Sequence, residues 1–351
     1  MAPWVAAGRQ LCHTTRSTAT ISTPMATIAV LGLGNFGTAL ARVWLVDGHR
    51  IKGWTIEAEV FDSITNTGHN TKYLAGVDLA GMETTMDLAV AVNGADLVVL
   101  ALPSHIVLSV AGQVIPLLEP GQVVLDLAKG IAGDRLVSDV ITEEMRKAGK
   151  DNPLTVITGP TIAPELANGV LTTASVASVD LALAERLADE LSTPTFALAP
   201  TSDPHGAELW GGFKNVIALG CGIADGLPAG SGDNLKAAIF TGGFAEGARL
   251  LEALGADPTT AFSAAGIGDL YVTATSPHGR NRTLGQKLGG GMSLQDAMAD
   301  SVMVAEGVRA TRLFGELAAA RGLQTPFVSA INDLLDGSTS AEDCVRRLTA
   351  I

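Results

Sequence analysis

Residues Gly32-Leu-Gly-Asn-Phe-Gly37 decide how this chain reads. They stand between Thr27-Ile-Ala-Val-Leu31, which reads as a buried strand, and Thr38-Ala-Leu-Ala-Arg-Val-Trp-Leu-Val46, which reads as a helix. Strand, glycine turn and helix in that order are the context a dinucleotide fingerprint needs. Gly32 serves the tight turn, Gly34 lets a pyrophosphate approach the backbone, and Gly37 lets the helix pack close to the sheet. The helix N-terminus adds free N–H groups and positive dipole for the phosphates. The chain holds 40 glycines, so the flanks carry this reading more than the spacing does.

On both sides of the turn the texture is consistent with it. Apolar runs at Thr27–Leu31, Arg50–Trp54, Asp96–Ala101, Val123–Leu127 and Thr155–Thr158, with a weaker pair around Ser175 and Phe196, alternate with helical stretches. This alternation predicts a mostly parallel sheet covered on both faces. Leu-Pro-Ser follows Ala101, Ala-Lys-Gly follows Leu127 and Gly-Pro-Thr follows Thr158. Ligands of open α/β sheets bind outside such carboxyl ends. Past Asp203-Pro204, a helix cap and first turn, the patterns are helical. Asp233 is expected to cap a helix over Asn234–Leu254 that ends at Gly255, with further helices over Leu294–Ala299, Val304–Ala320 and Pro326–Leu335. The expected fold is an α/β Rossmann-like N-terminal domain over 25–203 and an all-α C-terminal domain over 204–351.

Hydrophobic residues are 47% of the 351, enough for more than one core, and aromatics are 4%, so Ala, Val, Leu and Ile must build it. The net charge of −13 argues against nucleic acid as a partner, because phosphate backbones demand Lys and Arg. A small anionic substrate needs only a few lysines locally. Cys12, Cys221 and Cys344 lack metal or disulfide spacing, so no metal is expected. No apolar run reaches the roughly 18 residues of a membrane span, so no membrane is expected. Residues 1–24 lack Asp and Glu and carry Arg9 and Arg16. They read either as an organelle transit peptide or as sequence upstream of a start at Met25. The expected location is cytoplasmic, or an organelle stroma or matrix if the leader is a transit peptide.

Glu57 lies 20 residues after Gly37, where a ribose-binding acid is expected. Its carboxylate would repel a 2′-phosphate, and no Arg or Lys stands between Trp54 and Phe61. NAD is therefore favoured over NADP, although Lys52 or a distant residue could still reach a phosphate. Lys129 closes Val-Val-Leu-Asp-Leu-Ala-Lys-Gly and faces the crevice. Lys214 sits in an apolar helix and is either snorkelling or desolvated. Desolvated near a second cation, it becomes a usable base. Asp269 and Thr273 share a face if their segment is helical. Arg280-Asn281-Arg282 reads as a phosphate fork or as an ordinary surface loop.

Seven stretches then occur in order: Gly-Leu-Gly-Asn-Phe-Gly-Thr-Ala-Leu-Ala from Gly32, Ala-Lys-Gly-Ile from Ala128, Gly-Pro-Thr-Ile-Ala-Pro-Glu from Gly159, Phe-Lys-Asn-Val-Ile-Ala from Phe213, Gly-Ile-Gly-Asp-Leu from Gly266, Gly-Arg-Asn-Arg from Gly279 and Val-Ala-Glu-Gly-Val from Val304. Over about residues 26–335 the chain resembles the soluble NAD(P)-dependent glycerol-3-phosphate dehydrogenases of bacterial and plastid type. The resemblance implies interconversion of dihydroxyacetone phosphate and sn-glycerol 3-phosphate, supplying glycerophospholipid synthesis, in a site between the two domains. It implies that Lys214 transfers the proton and that Lys129 touches substrate and cofactor. Asp269, Arg280 and Asn281 would contact substrate and its phosphate, with Gly279 beside them, and Arg280 would also reach the cofactor. Gly159 and Thr161 would lie beneath the substrate, with Asn215 and Thr273 near it. Asn35, Phe36, Ala163, Val304 and Glu306 would face the cofactor. A homodimer is expected.

Three departures from the family pattern stand out. Gly279 replaces a usual serine, Gly242 replaces a usual arginine, and the arginine common after the second strand is missing near Thr55 and Ile56. The nearest rival is a dehydrogenase of another small hydroxy acid, against which Arg280-Asn281 after Gly-Asp-Leu discriminates. A non-catalytic nucleotide sensor would have lost Lys129, Lys214 or Asp269, and all three are present.

Overall fold

The computed structural model describes residues 25–128, 131–132, 135–276, 279–299 and 306–350. The leader at 1–24, Lys129 and Val304 lie outside the described residues.

The first apolar runs form β1 (Thr27–Leu31) and β2 (Arg50–Trp54), separated by α1 (Asn35–Val46) and followed by α2 (Ala58–Thr67). A small hairpin of β3 (His69–Asn70) and β4 (Leu74–Asp78) precedes β5 (Glu83–Thr85), α3 (Leu88–Val92) and β6 (Leu97–Leu100). Next come α4 (Ser104–Val114), β7 (Val123–Asp126), the short pair β8 (Ile131–Ala132) and β9 (Arg135–Leu136), and α5 (Val137–Lys147). β10 (Leu154–Thr158), α6 (Ala163–Ala167), β11 (Thr172–Ala177), α7 (Leu181–Leu191) and β12 (Phe196–Thr201) follow.

Eight strands form one sheet in the order β12-β11-β10-β7-β6-β1-β2-β5. From β5 to β10 all pairings are parallel. Those six strands have the 3-2-1-4-5-6 order of dinucleotide-binding sheets, whose ligands sit where the order reverses. That point lies between β1 and β6, beside the glycine turn. Helices cover both faces, which is why β6 and β7 are buried at every position and read as unbroken apolar runs. The expectation of a parallel sheet fails at one pairing, because β11 runs antiparallel to β10. Their connection is spent on the Gly159 loop and on α6, which packs against α1, so no helix carries the chain back across the sheet.

The helical half begins at α8 (Pro204–Gly226), where Asp203 accepts from the Gly206 N–H at 2.8 Å and Pro204 takes the first turn. It continues through α9 (Asp233–Ala253), α10 (Asp269–Thr275), α11 (Arg280–Gly289), α12 (Leu294–Ala299), α13 (Glu306–Ala320), α14 (Pro326–Leu335) and α15 (Ala341–Leu348). Among the described residues no strand follows β12. Asp233 is not the cap expected of it. Gly232 holds the cap position, and Asp233 lies in the first turn, paired with Lys236 at 3.2 Å.

α8 is the axis of this half. Every residue from Gly206 to Ala224 is buried, as a helix apolar on all sides must be. The few aromatics gather around it: Trp210, Phe213, Phe244 and Phe314 stack edge-on or tilted, with ring centroids 5.0–6.2 Å apart. Against α8 lies α11, backbone to backbone. A Cβ on Gly222 would stand 2.2 Å from the Arg282 carbonyl, one on Gly285 2.4 Å from the Leu219 carbonyl, and one on Gly289 2.0 Å from the Ile223 carbonyl. The seam admits glycine alone.

Candidate active site

The candidate residues fall into two groups, one at the carboxyl edge of the sheet and one on the helical half. The first is the glycine turn. Gly32 has φ +106°, and a Cβ there would meet the Ala101 carbonyl at 2.5 Å. A Cβ on Gly37 would stand 1.9 Å from the Gly32 carbonyl, so α1 rests directly on the turn. At Gly34 nothing lies within 4 Å of a would-be Cβ, which leaves the backbone open to a ligand. The residues present thus fit a dinucleotide: a steric lock on either side of an open N–H row at the start of α1. Asn35 is exposed and Phe36 half-buried at its rim. Ala163 lies half-buried at the start of α6, which packs on α1.

Glu57 precedes α2, at the end of β2, and its carboxylate is already engaged. It accepts from Lys72 Nζ at 2.5 Å and from the Tyr73 hydroxyl at 2.7 Å. The hydrogen bond from Lys72 chiefly, with that from Tyr73, holds the Glu57 carboxyl below its ordinary range. The sequence around Trp54–Phe61 showed no cation. The β3–β4 hairpin delivers one, while Lys52 is turned away to the Asn93 carbonyl at 2.6 Å. Asn70 was also missed. Fully buried in β3, it donates to the Leu33 carbonyl and to Thr38 Oγ1, both at 2.8 Å, and so fixes the glycine turn from beneath. An Asn inside a polar stretch gives no sign of this in sequence.

The second group hangs from α8. Lys214 is 5% exposed and its Nζ stands 2.5 Å from Asp269 Oδ2, itself in a residue 2% exposed. Asp269 comes from a different part of the chain, and its local geometry explains how it arrives. Ser263 caps the Ala265 and Gly266 N–H groups, and a wide turn at Ala264–Gly268 leads into α10. Gly266 takes φ −88°, ψ −106°, and a Cβ there would meet the Thr260 and Ala261 carbonyls at 2.4 Å. Asp269 therefore opens α10, where the helix dipole favours a carboxylate. Thr273, one turn on, donates to the Asp269 carbonyl at 2.7 Å. Asp269 and Thr273 do lie on one helix.

Beneath the pair runs the loop after β10. A Cβ on Gly159 would meet Ala174 Cα at 2.8 Å, so the loop presses on β11, and Thr161 Oγ1 donates to the Gly159 carbonyl at 3.2 Å. Pro160 lies against Gly268. On the other side of α8, Asn281 joins three elements. Its Nδ2 donates to Asn215 Oδ1 at 2.8 Å, and its Oδ1 accepts the Gly307 N–H at 2.9 Å. Thus α11 is tied at once to α8 and to the start of α13, where Glu306 sits half-buried. Gly279 caps α11 and Arg280 is exposed beside it. Arg282 instead donates to Asp225 Oδ2 at 2.6 Å and to the Thr275 carbonyl at 2.8 Å. At Gly242, where the family pattern has arginine, a Cβ would be 3.0 Å from the Leu348 carbonyl, a tight contact that α15 would have to ease by a few tenths of an ångström.

Between sheet and α8 lies a buried acid cluster that sequence reasoning missed. Asp126, at the end of β7, is fully buried; its Oδ1 accepts the Ala128 N–H at 3.0 Å, and its Oδ2 has no hydrogen-bond partner among the described residues. Glu208 on α8 accepts from the Ser138 hydroxyl and, at 3.2 Å, from the Ser138 N–H. Burial pushes Asp126 up to about 7; burial first, then the charge of Asp126, pushes Glu208 up to about 8. Among the described residues no group of His, Cys, Asp and Glu is arranged to hold a metal, and no helix is long and apolar enough to cross a membrane.

Comparison with known proteins agrees with this geometry. Residues 27–184 match the family model for the NAD-dependent glycerol-3-phosphate dehydrogenase N-terminus, and residues 203–346 match that for its C-terminus. A glycerol-3-phosphate dehydrogenase [NAD(P)+] of Moorella thermoacetica is 43% identical over 324 residues, covering 92% of this chain and 95% of its own. Its counterpart in Pelotomaculum thermopropionicum is 40% identical, with 92% of each chain covered. The crystal structure of a glycerol-3-phosphate dehydrogenase from Coxiella burnetii superposes with TM-score 0.82 at 30% identity, over 93% of this chain and 99% of that one.

Proposed function

The chain belongs to the NAD-dependent glycerol-3-phosphate dehydrogenase family, and from that premise we propose how its own residues serve the reaction. It is an oxidoreductase that interconverts dihydroxyacetone phosphate and glycerol 3-phosphate with NAD(P)H. The observation that carries the residue assignment is the buried Lys214–Asp269 pair beside the Gly159 loop.

When bound, the nicotinamide supplies or accepts the hydride at C2 of the substrate. In reduction, Lys214 protonates the oxygen at C2; in oxidation, it takes the hydroxyl proton. Asp269 holds the Lys214 ammonium in place and balances its charge. Lys129 polarises the same oxygen. Arg280 and the second amide hydrogen of Asn281 hold the phosphate, which fixes C2 for transfer. Gly159 and Thr161 floor the site, with Asn215, Thr273 and Gly279 around it. Gly32, Gly34 and Gly37 seat the pyrophosphate, Asn35, Phe36 and Ala163 line its approach, Glu57 takes the ribose, and Val304, Glu306 and Arg280 close the nicotinamide end. In this reading residues 25–203 carry the cofactor, residues 204–351 carry the substrate, and the working form is a homodimer.

Loss of absorbance at the reduced-nicotinamide band tests the reading. Dihydroxyacetone phosphate should drive it with NADH or NADPH. No substrate-dependent loss with either cofactor would refute the assignment.

A further inference from the structure

The acid that takes a ribose 2′-hydroxyl in this fold stands at the end of the second strand, and a basic residue beside it accommodates a 2′-phosphate. Here Glu57 holds the acid position, and Lys72 Nζ is 2.5 Å from one of its oxygens and 3.3 Å from Glu59 Oε2. A group carried on the hydroxyl that Glu57 receives therefore comes within reach of the Lys72 ammonium. We propose that Lys72 is the contact for a 2′-phosphate and that Glu57 competes with that phosphate for it, so that cofactor choice rests in this one cluster. The proposal depends on the NAD(P)-dependent reading above and specifies its cofactor site.

Three observations support it. First, the turn that bears Lys72 is pinned. Asn70 ties it to the glycine turn, the Tyr73 N–H donates to Asn70 Oδ1 at 3.3 Å, and the Tyr73 hydroxyl reaches Glu57. Lys72 extends from a fixed base, not from a loose loop. Second, its side chain is 39% exposed and that of Glu57 33%, so the pair is open to a ligand. A pair buried only to hold the fold would be closed. Third, the charges of the cluster are compatible with either cofactor. Two carboxylates on one ammonium leave the cluster one negative charge, which suits ribose hydroxyls. A phosphate must draw Lys72 from Glu57, and an ammonium on a flexible four-carbon stem is able to turn.

Binding of NADH and NADPH, followed by cofactor fluorescence without substrate, tests this in wild type, Lys72→Met, Glu57→Gln and the double variant. Wild type should bind both. Lys72→Met should weaken NADPH by roughly ten- to a hundredfold, the loss of one charge-assisted hydrogen bond, and leave NADH within about twofold. Glu57→Gln should tighten NADPH and weaken NADH. The double variant should stay weak for NADPH. Equal weakening of both cofactors by Lys72→Met would show that Lys72 only holds the turn. Wild-type NADPH affinity in the double variant would show that Lys72 only neutralises Glu57. Either result, or binding of NADH alone by wild type, overturns the inference and leaves the dehydrogenase reading standing. Binding of neither cofactor would instead refute that reading.

Discussion

Lys214 is an ammonium taken almost wholly out of water, and Asp269 is what makes that tolerable. Breaking a buried ion pair from one side costs about 3–5 kcal/mol. Asp269→Asn should therefore lower both thermal stability and kcat, whereas Lys214→Ala should lower kcat by roughly 10²–10⁴-fold, the range for a lost acid or base. Near-normal turnover of Lys214→Ala would remove it from the mechanism. Arg280 is exposed and should behave differently: Arg280→Ala should raise KM for the phosphorylated substrate while kcat changes much less, read from full saturation curves. At this scale the sequence is legible where a residue sits in a motif, as Lys214 and Asp269 do. It is illegible where partners meet only through the fold. Glu57 was readable from its distance to Gly37, but Lys72, 15 residues further on, is joined to it solely by the hairpin. Asp126 and Glu208 each stand singly in an apolar stretch, and nothing local says that they face each other.

At the scale of elements, β1 follows its apolar run to the residue, because a parallel strand buried on both faces leaves an unbroken hydrophobic record, whereas β2 keeps its expected bounds with Arg50 exposed and Lys52 half-buried between apolar neighbours. β3 and β5 escaped notice since His-Asn and Glu-Thr-Thr carry no such record. α11 looked like a turn and loop for a related reason. Gly285 and Gly289 lower helix propensity, and tertiary packing against α8 overrides that loss. The seam makes a sharp prediction. Gly285→Ala places a methyl carbon against the Leu219 carbonyl and should cost about 1–3 kcal/mol, the usual price of overpacking. Because Asn281 lies on the same helix, its bonds to Asn215 and Gly307 should also stretch. KM for substrate should rise even in preparations shown by calorimetry to be folded. An unchanged melting point would mean that α11 does not sit as close as described.

Across the whole molecule, Ser138 in the sheet half is hydrogen-bonded to Glu208 in the helical half, and Asp126 lies near enough for its charge to act on Glu208. In the unfolded chain both carboxyls titrate at about 4. In the folded chain they hold their protons up to about 7 and about 8. The folded state binds more protons across that window, so stability present at acid pH is lost as pH rises from about 4 to about 8. The double variant Asp126→Asn, Glu208→Gln should flatten this part of the profile and melt higher than wild type above about pH 8, as followed by circular dichroism. A slope identical to that of wild type would assign the dependence elsewhere.

The glycine seam between α8 and α11 carries one more consequence, for how such a protein can evolve. Side chains in an interface are adjustable, since a lineage can enlarge one and shrink its neighbour in small steps. Where main chain touches main chain there is nothing to trade. Lys214 on α8 and Asn281 on α11 are thereby locked at one spacing, and on the reading proposed above a descendant suited to a longer or shorter substrate would have to find it outside these two helices, by remodelling the loops around them.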